Sequence, residues 1–218
     1  MKQNFIFDLD GTLVDSLPGI TGSINAALPP SARWVVDVRP FIGPPVRSIL
    51  QSLSQTAGED ELDQMERKFR QSYDADGWRN TREYSGAKAL LDRLRTARKR
   101  IFLVTNKPAH PTARILETLA LRPYFEDVLT PDSRTPKFQN KAQMLRELVS
   151  RHDLRTDECL MIGDTTDDGN AAAALGMQAI FVAHGYGGAR LSTDFPHCQI
   201  LPDLGMLSTH FMENGATL

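Results

Sequence analysis

The chain of 218 residues carries 25 Lys plus Arg against 27 Asp plus Glu, a formal charge of −2, which argues against an electrostatic nucleic-acid binder. Hydrophobic residues at 41% and charged residues at 24% exclude a disordered chain and suit one domain, or one domain with an insertion. Two cysteines exclude a disulfide framework, the histidines lack zinc-site spacing, and no apolar run approaches the roughly 20 residues that span a bilayer. The first apolar run is too short for a signal peptide, so a soluble cytoplasmic protein is expected.

Taken in chain order, the first short apolar run is Phe5-Ile6-Phe7. Similar runs recur at Ile101 to Val104, Asp127 to Leu129, Cys159 to Ile162 and Ala179 to Val182. Continuous apolar segments of this length predict strands buried on both faces, as in a parallel sheet. Helical patterns lie between them. Ser85 to Arg98 has Ser85 as candidate N-cap, Pro111 to Leu121 opens on a proline, and Lys141 to Ser150 sets Met144, Leu145 and Leu148 on one face. Gly169 to Leu175 is followed by Gly176, a helix stop. Alternating strands and helices predict an α/β fold with a doubly wound, mostly parallel, Rossmann-like sheet.

Residues 17–83 break that alternation. Prolines at 40, 44 and 45 precede apolar residues at helical spacing, Val46, Ile49, Leu50 and Leu53. A second stripe runs through Leu62, Met65, Phe69 and Tyr73. The expectation is a core made of residues 1–16 and 84–218, interrupted by a helical insertion at 17–83. The tail after His184 has turn glycines and little clear periodicity.

The chemistry gathers at strand ends, where ligands bind in open α/β sheets. Asp8-Leu9-Asp10-Gly11-Thr12 follows the first strand at once. Two carboxylates two residues apart lie roughly 6–7 Å apart on one side of an extended chain. They could share a cation, or divide nucleophile and acid/base roles. Thr105-Asn106-Lys107 ends the second core strand, where a hydroxyl and backbone N–H groups could hold a phosphoryl oxygen. Gly163-Asp164 ends the fourth, and Asp168 follows four positions on, where it or Asp167 could instead cap a helix. Lys107, Lys137 and Lys141 are the candidate cations. A lysine opposes the dipole at a helix N-terminus, and that local conflict singles out Lys141.

Asp8-x-Asp10-Gly11-Thr12, Thr105, Lys141 and Gly163-Asp164-x-x-x-Asp168 together resemble the four ordered motifs of the haloacid dehalogenase (HAD) superfamily. Residues 17–83 are similar to the small helical cap of its phosphoglycolate phosphatase-like branch. Phe41 to Pro45, Tyr84-Ser85-Gly86 and Gly185-Tyr186-Gly187 also resemble segments of that branch. The resemblance implies Mg²⁺ held by Asp8, the Asp10 backbone carbonyl and Asp164, with Asp168 in support. It implies Asp8 as nucleophile forming an aspartyl-phosphate, Asp10 as general acid and then base, and Thr105 and Lys141 on the phosphoryl oxygens. Asn106 and Arg47 are the further substrate-binding candidates; Arg47, Arg70 and Tyr73 could face the site, although each is more often a solvated helical residue. The segment 131–137 departs from the branch's usual Lys-Pro pattern, and Lys141 is preferred to Lys137 on its distance from Asp164.

The expected function is a Mg²⁺-dependent phosphomonoesterase of a small phosphorylated metabolite, with 2-phosphoglycolate as a candidate. Asp10 sets it apart from superfamily dehalogenases and phosphonate hydrolases, which have no ester oxygen to protonate. A sugar-phosphate mutase is the alternative, and a non-catalytic binding paralogue or a phospho-acceptor receiver domain fits less well. No nucleic-acid or membrane partner is expected, and the chain would be a monomer or homodimer.

Overall fold

A computed structural model describes residues 2–29, 37–55, 57–188 and 190–213, the last four by backbone alone. Positions 30–36 and 56 of the expected insertion lie outside the described residues.

Six parallel strands form the central sheet, in the order β5-β4-β1-β6-β7-β8. They are β1 (Asn4–Phe7), β4 (Arg100–Val104), β5 (Asp127–Leu129), β6 (Cys159–Gly163), β7 (Gln178–Val182) and β8 (Gln199–Leu201). β1 sits between β4 and β6, with Phe7 beside Leu103 and Ile162. Successive residues point to opposite faces of a strand. Phe5 and Phe7 accordingly join one apolar cluster, with Leu90 and Leu91 of α4 (Ala87–Thr96), Ile115 of α5 (Ala109–Thr118) and Leu204 of α9 (Leu204–Glu213). Ile6 joins the other, with Met144 and Leu145 of α6 (Lys141–Arg151), Ala172 of α7 (Thr166–Ala173) and Leu191 of α8 (Arg190–Asp194). Burial of both strand faces explains why these strands lack polar alternation.

After β1 the chain forms β2 (Val14–Asp15), which pairs antiparallel with β3 (Arg82–Glu83). Between these two strands lie α1 (Leu17–Ala27), α2 (Val46–Leu53) and α3 (Glu59–Ala75). The stripe Leu62, Met65, Phe69 and Tyr73 is buried and packs into the same cluster as Phe5 and Phe7. Tyr73, at 3% exposure, is not solvated but borders a cavity beside Asp8 and Asp10, the other of the two readings its sequence allowed.

Several boundaries differ from the sequence expectation. α4 is capped by Gly86 at φ 87° rather than by Ser85, a left-handed position that glycine takes without strain. α5 starts at Ala109, so Pro111 lies inside the first turn, where its missing N–H costs nothing. α7 starts at Thr166 with Thr165 as N-cap, and Asp168 closes a capping box. The tail contains two short elements, α8 and β8, and the ten-residue α9, none of which hydropathy alone marks.

Candidate active site

The first acidic loop is shaped by one glycine. Gly11 has φ 82° and lies so close to Asp164 that a Cβ there would overlap its carboxylate. This lets the loop after β1 fold against the end of β6. Thr12 Oγ1 then donates to Asp164 Oδ1 at 2.9 Å. The backbone N–H of Tyr186 donates to Asp164 Oδ2 at 2.7 Å. The approach of Tyr186 needs Gly185, where a side chain would also overlap Asp164.

Asp8 is held by its own N–H, which donates to the Ile162 carbonyl at 2.9 Å. Its carboxylate is buried, and Lys141 Nζ lies 2.9 Å from Oδ1 as an ion partner off hydrogen-bond alignment, leaving that oxygen without a hydrogen-bond donor. Lys141 Nζ also donates to Asp168 Oδ1 at 2.6 Å. Asp168 Oδ2 accepts from the N–H groups of Asp164 and Thr165 and from Thr165 Oγ1. Asp168 is thus fully engaged in positioning Lys141 and starting α7. Asn140 caps α6 by accepting from the Gln143 N–H, and this sets Lys141 as the first helical residue.

Three buried acids cluster here, two of them paired with one lysine. Carboxylate oxygens of Asp8, Asp164 and Asp168 all lie within 4.8 Å of one another. Burial pushes the Asp8 carboxyl up to about 7, with Asp168 and Asp10 adding to the shift while Lys141 opposes it. Asp164 is held well above the usual carboxylate range by burial and by its two neighbouring acids. Burial opposes the charge on Lys141, but Asp168 and Asp8 more than offset it and hold the ammonium above its ordinary range. Buried acids in excess over their cation, one with an oxygen lacking an aligned donor, fit a hard divalent ion with oxygen ligands.

Asp10 opens toward the neighbouring cavity. Ser16 Oγ donates to its Oδ1 at 2.5 Å, so that hydroxyl does not cap α1. The start of α1 is served instead by Asp15 Oδ1 and the Tyr186 hydroxyl, which accept from the Leu17 N–H. Lys107 Nζ sits 2.9 Å from Asp10 Oδ2 and donates to the Tyr73 hydroxyl at 2.9 Å. Thr105 is buried at the end of β4, and its hydroxyl oxygen accepts from the Lys107 N–H at 3.2 Å. The hydroxyl proton therefore remains available to a substrate oxygen.

A cavity of about 310 Å³ joins these groups to the helical insertion. Its walls include Ile20, Ile42, Ile49 and Phe69 beside Asp8, Asp10 and Thr105. Asn106 borders it, but its Nδ2 donates to the Gly43 carbonyl and to Asp167 Oδ2, tying the insertion to α7. Arg47 borders it too, with its guanidinium spent on Asp63, Glu59 and Glu66. Arg47, a substrate-binding candidate from the sequence, thus borders the cavity as part of a surface ion-pair network, in which Glu66 also holds Arg70. Lys137 is exposed, whereas Lys141 is buried between Asp8 and Asp168.

Geometry thus gathers Asp8, Asp10, Thr105, Lys141, Asp164 and Asp168 at the carboxyl ends of β1, β4 and β6. Sequence reasoning noticed Lys107 but did not connect it to Asp10. It also missed Ser16 and the backbone donor of Tyr186. The signals for these were the hydroxyl ending the first motif and the glycines flanking Tyr186.

Residues 5–182 match the family model described as haloacid dehalogenase-like hydrolase. A 5'-nucleotidase of Pseudomonas aeruginosa is 32% identical over 195 residues, covering 84% of each chain. A phosphoglycolate phosphatase of Rhodospirillum rubrum is 30% identical over 197 residues, 85% of this chain and 81% of the relative. Among solved structures, that of the Mycobacterium tuberculosis protein tyrosine kinase A (PtkA) matches with a TM-score of 0.80 and 29% identity, over 96% of this chain and 97% of that one. No helix among the described residues is long and apolar enough to cross a membrane. The ordered acidic motifs, the doubly wound sheet that presents them and these similarities together place the chain in the haloacid dehalogenase-like hydrolase family, among its phosphoric monoester hydrolases.

Proposed function

We infer that this chain is a Mg²⁺-dependent phosphatase that hydrolyses a small-metabolite phosphomonoester through an aspartyl-phosphate on Asp8. The observation that carries this reading is the pairing of Asp8 with Lys141 at 2.9 Å, amid buried acids, with Asp10 beside it on the same cavity.

Asp8, Asp164 and the Asp10 backbone carbonyl would hold the ion, which would offset the negative charge of the acids and of the phosphoryl group. Asp8 is the nucleophile, fixed through its N–H to Ile162. Asp10 delivers a proton to the leaving oxygen and later takes one from the attacking water. Lys141 and the Thr105 hydroxyl hold phosphoryl oxygens, and Asp168 keeps Lys141 in place. The helices α1, α2 and α3 would act as a cap over the cavity, whose apolar walls would limit bulk water at the reacting centre. Arg47 borders the cavity as a further candidate substrate contact, its guanidinium held by Glu59, Asp63 and Glu66.

The relatives differ in the substrate their names state. 2-Phosphoglycolate is one candidate, supported by similarity to a phosphoglycolate phosphatase, and a nucleoside monophosphate is the other, supported by similarity to a 5'-nucleotidase. Phosphate release should be measured over a panel of 2-phosphoglycolate, sugar phosphates and nucleotides, with Mg²⁺ and with EDTA. Turnover that needs Mg²⁺ and disappears in Asp8→Asn is expected. Phosphoryl transfer to a second sugar carbon or to a tyrosine peptide, with no phosphate released, would assign a mutase or kinase reaction instead.

A further inference from the structure

The contact between Tyr73 and Lys107 links the helical insertion to Asp10. Lys107 is 7% exposed and Tyr73 3% exposed. A lysine so buried needs partners for its ammonium. Lys107 Nζ has two, Asp10 Oδ2 at 2.9 Å and the Tyr73 hydroxyl at 2.9 Å, and it lies 4.6 Å from the centre of the Tyr73 ring. Tyr73 is itself fixed by stacking on Phe69, with centroids 5.4 Å apart. Both aromatic residues belong to α3, whereas Lys107 and Asp10 belong to strand-end loops of the core.

We propose that Tyr73 is a positioning residue, acting through Lys107 to aim Asp10 at the leaving oxygen. This rests on Asp10 being the general acid. Lys107 reaches Asp10 on the oxygen opposite Ser16, so the carboxyl plane is fixed from both sides. The hydroxyl of Tyr73 is the second anchor that stops the lysine stem from rotating away from Asp10. Because that anchor is carried by α3, acid catalysis depends on the insertion being seated on the core.

The chemistry supplies a readout that a structural role would not move. In the first step the bond from phosphorus to the leaving oxygen breaks, a bond from Asp8 to phosphorus forms, and the Asp10 proton moves to the leaving oxygen. An alkoxide needs that proton, whereas 4-nitrophenolate departs without it. The kcat/KM of Tyr73→Phe is therefore expected to fall about 10-fold on the alkyl phosphate that the wild type turns over fastest, a fraction of the full general-acid effect. On 4-nitrophenyl phosphate it should stay within about 2-fold, since proton transfer adds little there. Lys107→Met should reproduce the same split, and the double variant should lose no more than Lys107→Met alone. If Tyr73→Phe does not fold, the Lys107→Met split alone decides the matter. Equal losses on both substrates, or none on either, would overturn the proposal. A wild type that hydrolyses neither substrate would instead defeat the phosphatase reading on which it rests.

Discussion

Lys141 shows how much a single buried charge decides in this site. It is 2% exposed, and its ammonium is stabilised chiefly by its ion pairs with Asp8 and Asp168. Removing it would leave two buried carboxylates without their cation, which typically costs about 3–5 kcal/mol. Lys141→Met should therefore lower both Tm and phosphate release, and added Mg²⁺ should recover part of the Tm but little of the turnover. A variant with wild-type Tm and activity would show that the lysine has no such role. Asp8, Asp10 and Asp164 were legible in the sequence because a short motif ending a buried strand fixes its own local geometry. Tyr73 was not, because its stripe shows which face is buried but not which core side chain it meets.

Elements were read best where burial alone defines them. The strands β1, β4, β6 and β7 are apolar on both faces, so the run of residues and the strand nearly coincide. Helix starts were read less well because caps compete. Ser85 had the preferred side chain, yet the turn after β3 required a left-handed residue, and Gly86 took the cap. At α7, Asp167 and Asp168 were both plausible caps, but Thr165 holds the position and Asp168 serves as the third helical residue, facing back to Lys141. Of the elements after His184, α8 and β8 were missed because they are short and bury few side chains, such as Leu191 and Leu201.

Across the molecule, the near-neutral net charge conceals a concentrated one. Asp8, Asp164 and Asp168 meet at a single point, and burial raises the Asp8 carboxyl to about 7. A carboxyl raised on folding makes the folded state take up protons relative to the unfolded one. The contribution of this carboxyl to stability is then fully present at low pH and is lost as pH rises from the ordinary carboxylate range through about 7. Mg²⁺ binding requires the ionised acids, so the ion should offset that loss mainly above neutrality. The rise in Tm caused by Mg²⁺ is expected to be larger at pH 8 than at pH 5.5 by differential scanning fluorimetry, and to vanish in an Asp8→Asn, Asp164→Asn double variant. An increment independent of pH would contradict this account. The parallel sheet was legible from the alternation of apolar runs, and residues 17–83 stood out by breaking it, but the order of the strands was not. The cavity between insertion and core was not legible either, because it is formed by residues far apart in sequence, from Asp8 to Met144.

The central claim is that Asp8 carries the phosphoryl group. Wild-type protein mixed with Mg²⁺ and its best substrate, quenched in acid within milliseconds and analysed by mass spectrometry, should show one added phosphoryl group on the peptide containing Asp8. Steady turnover with no adduct on that peptide at any quench time, or with the adduct on another residue, would contradict the account.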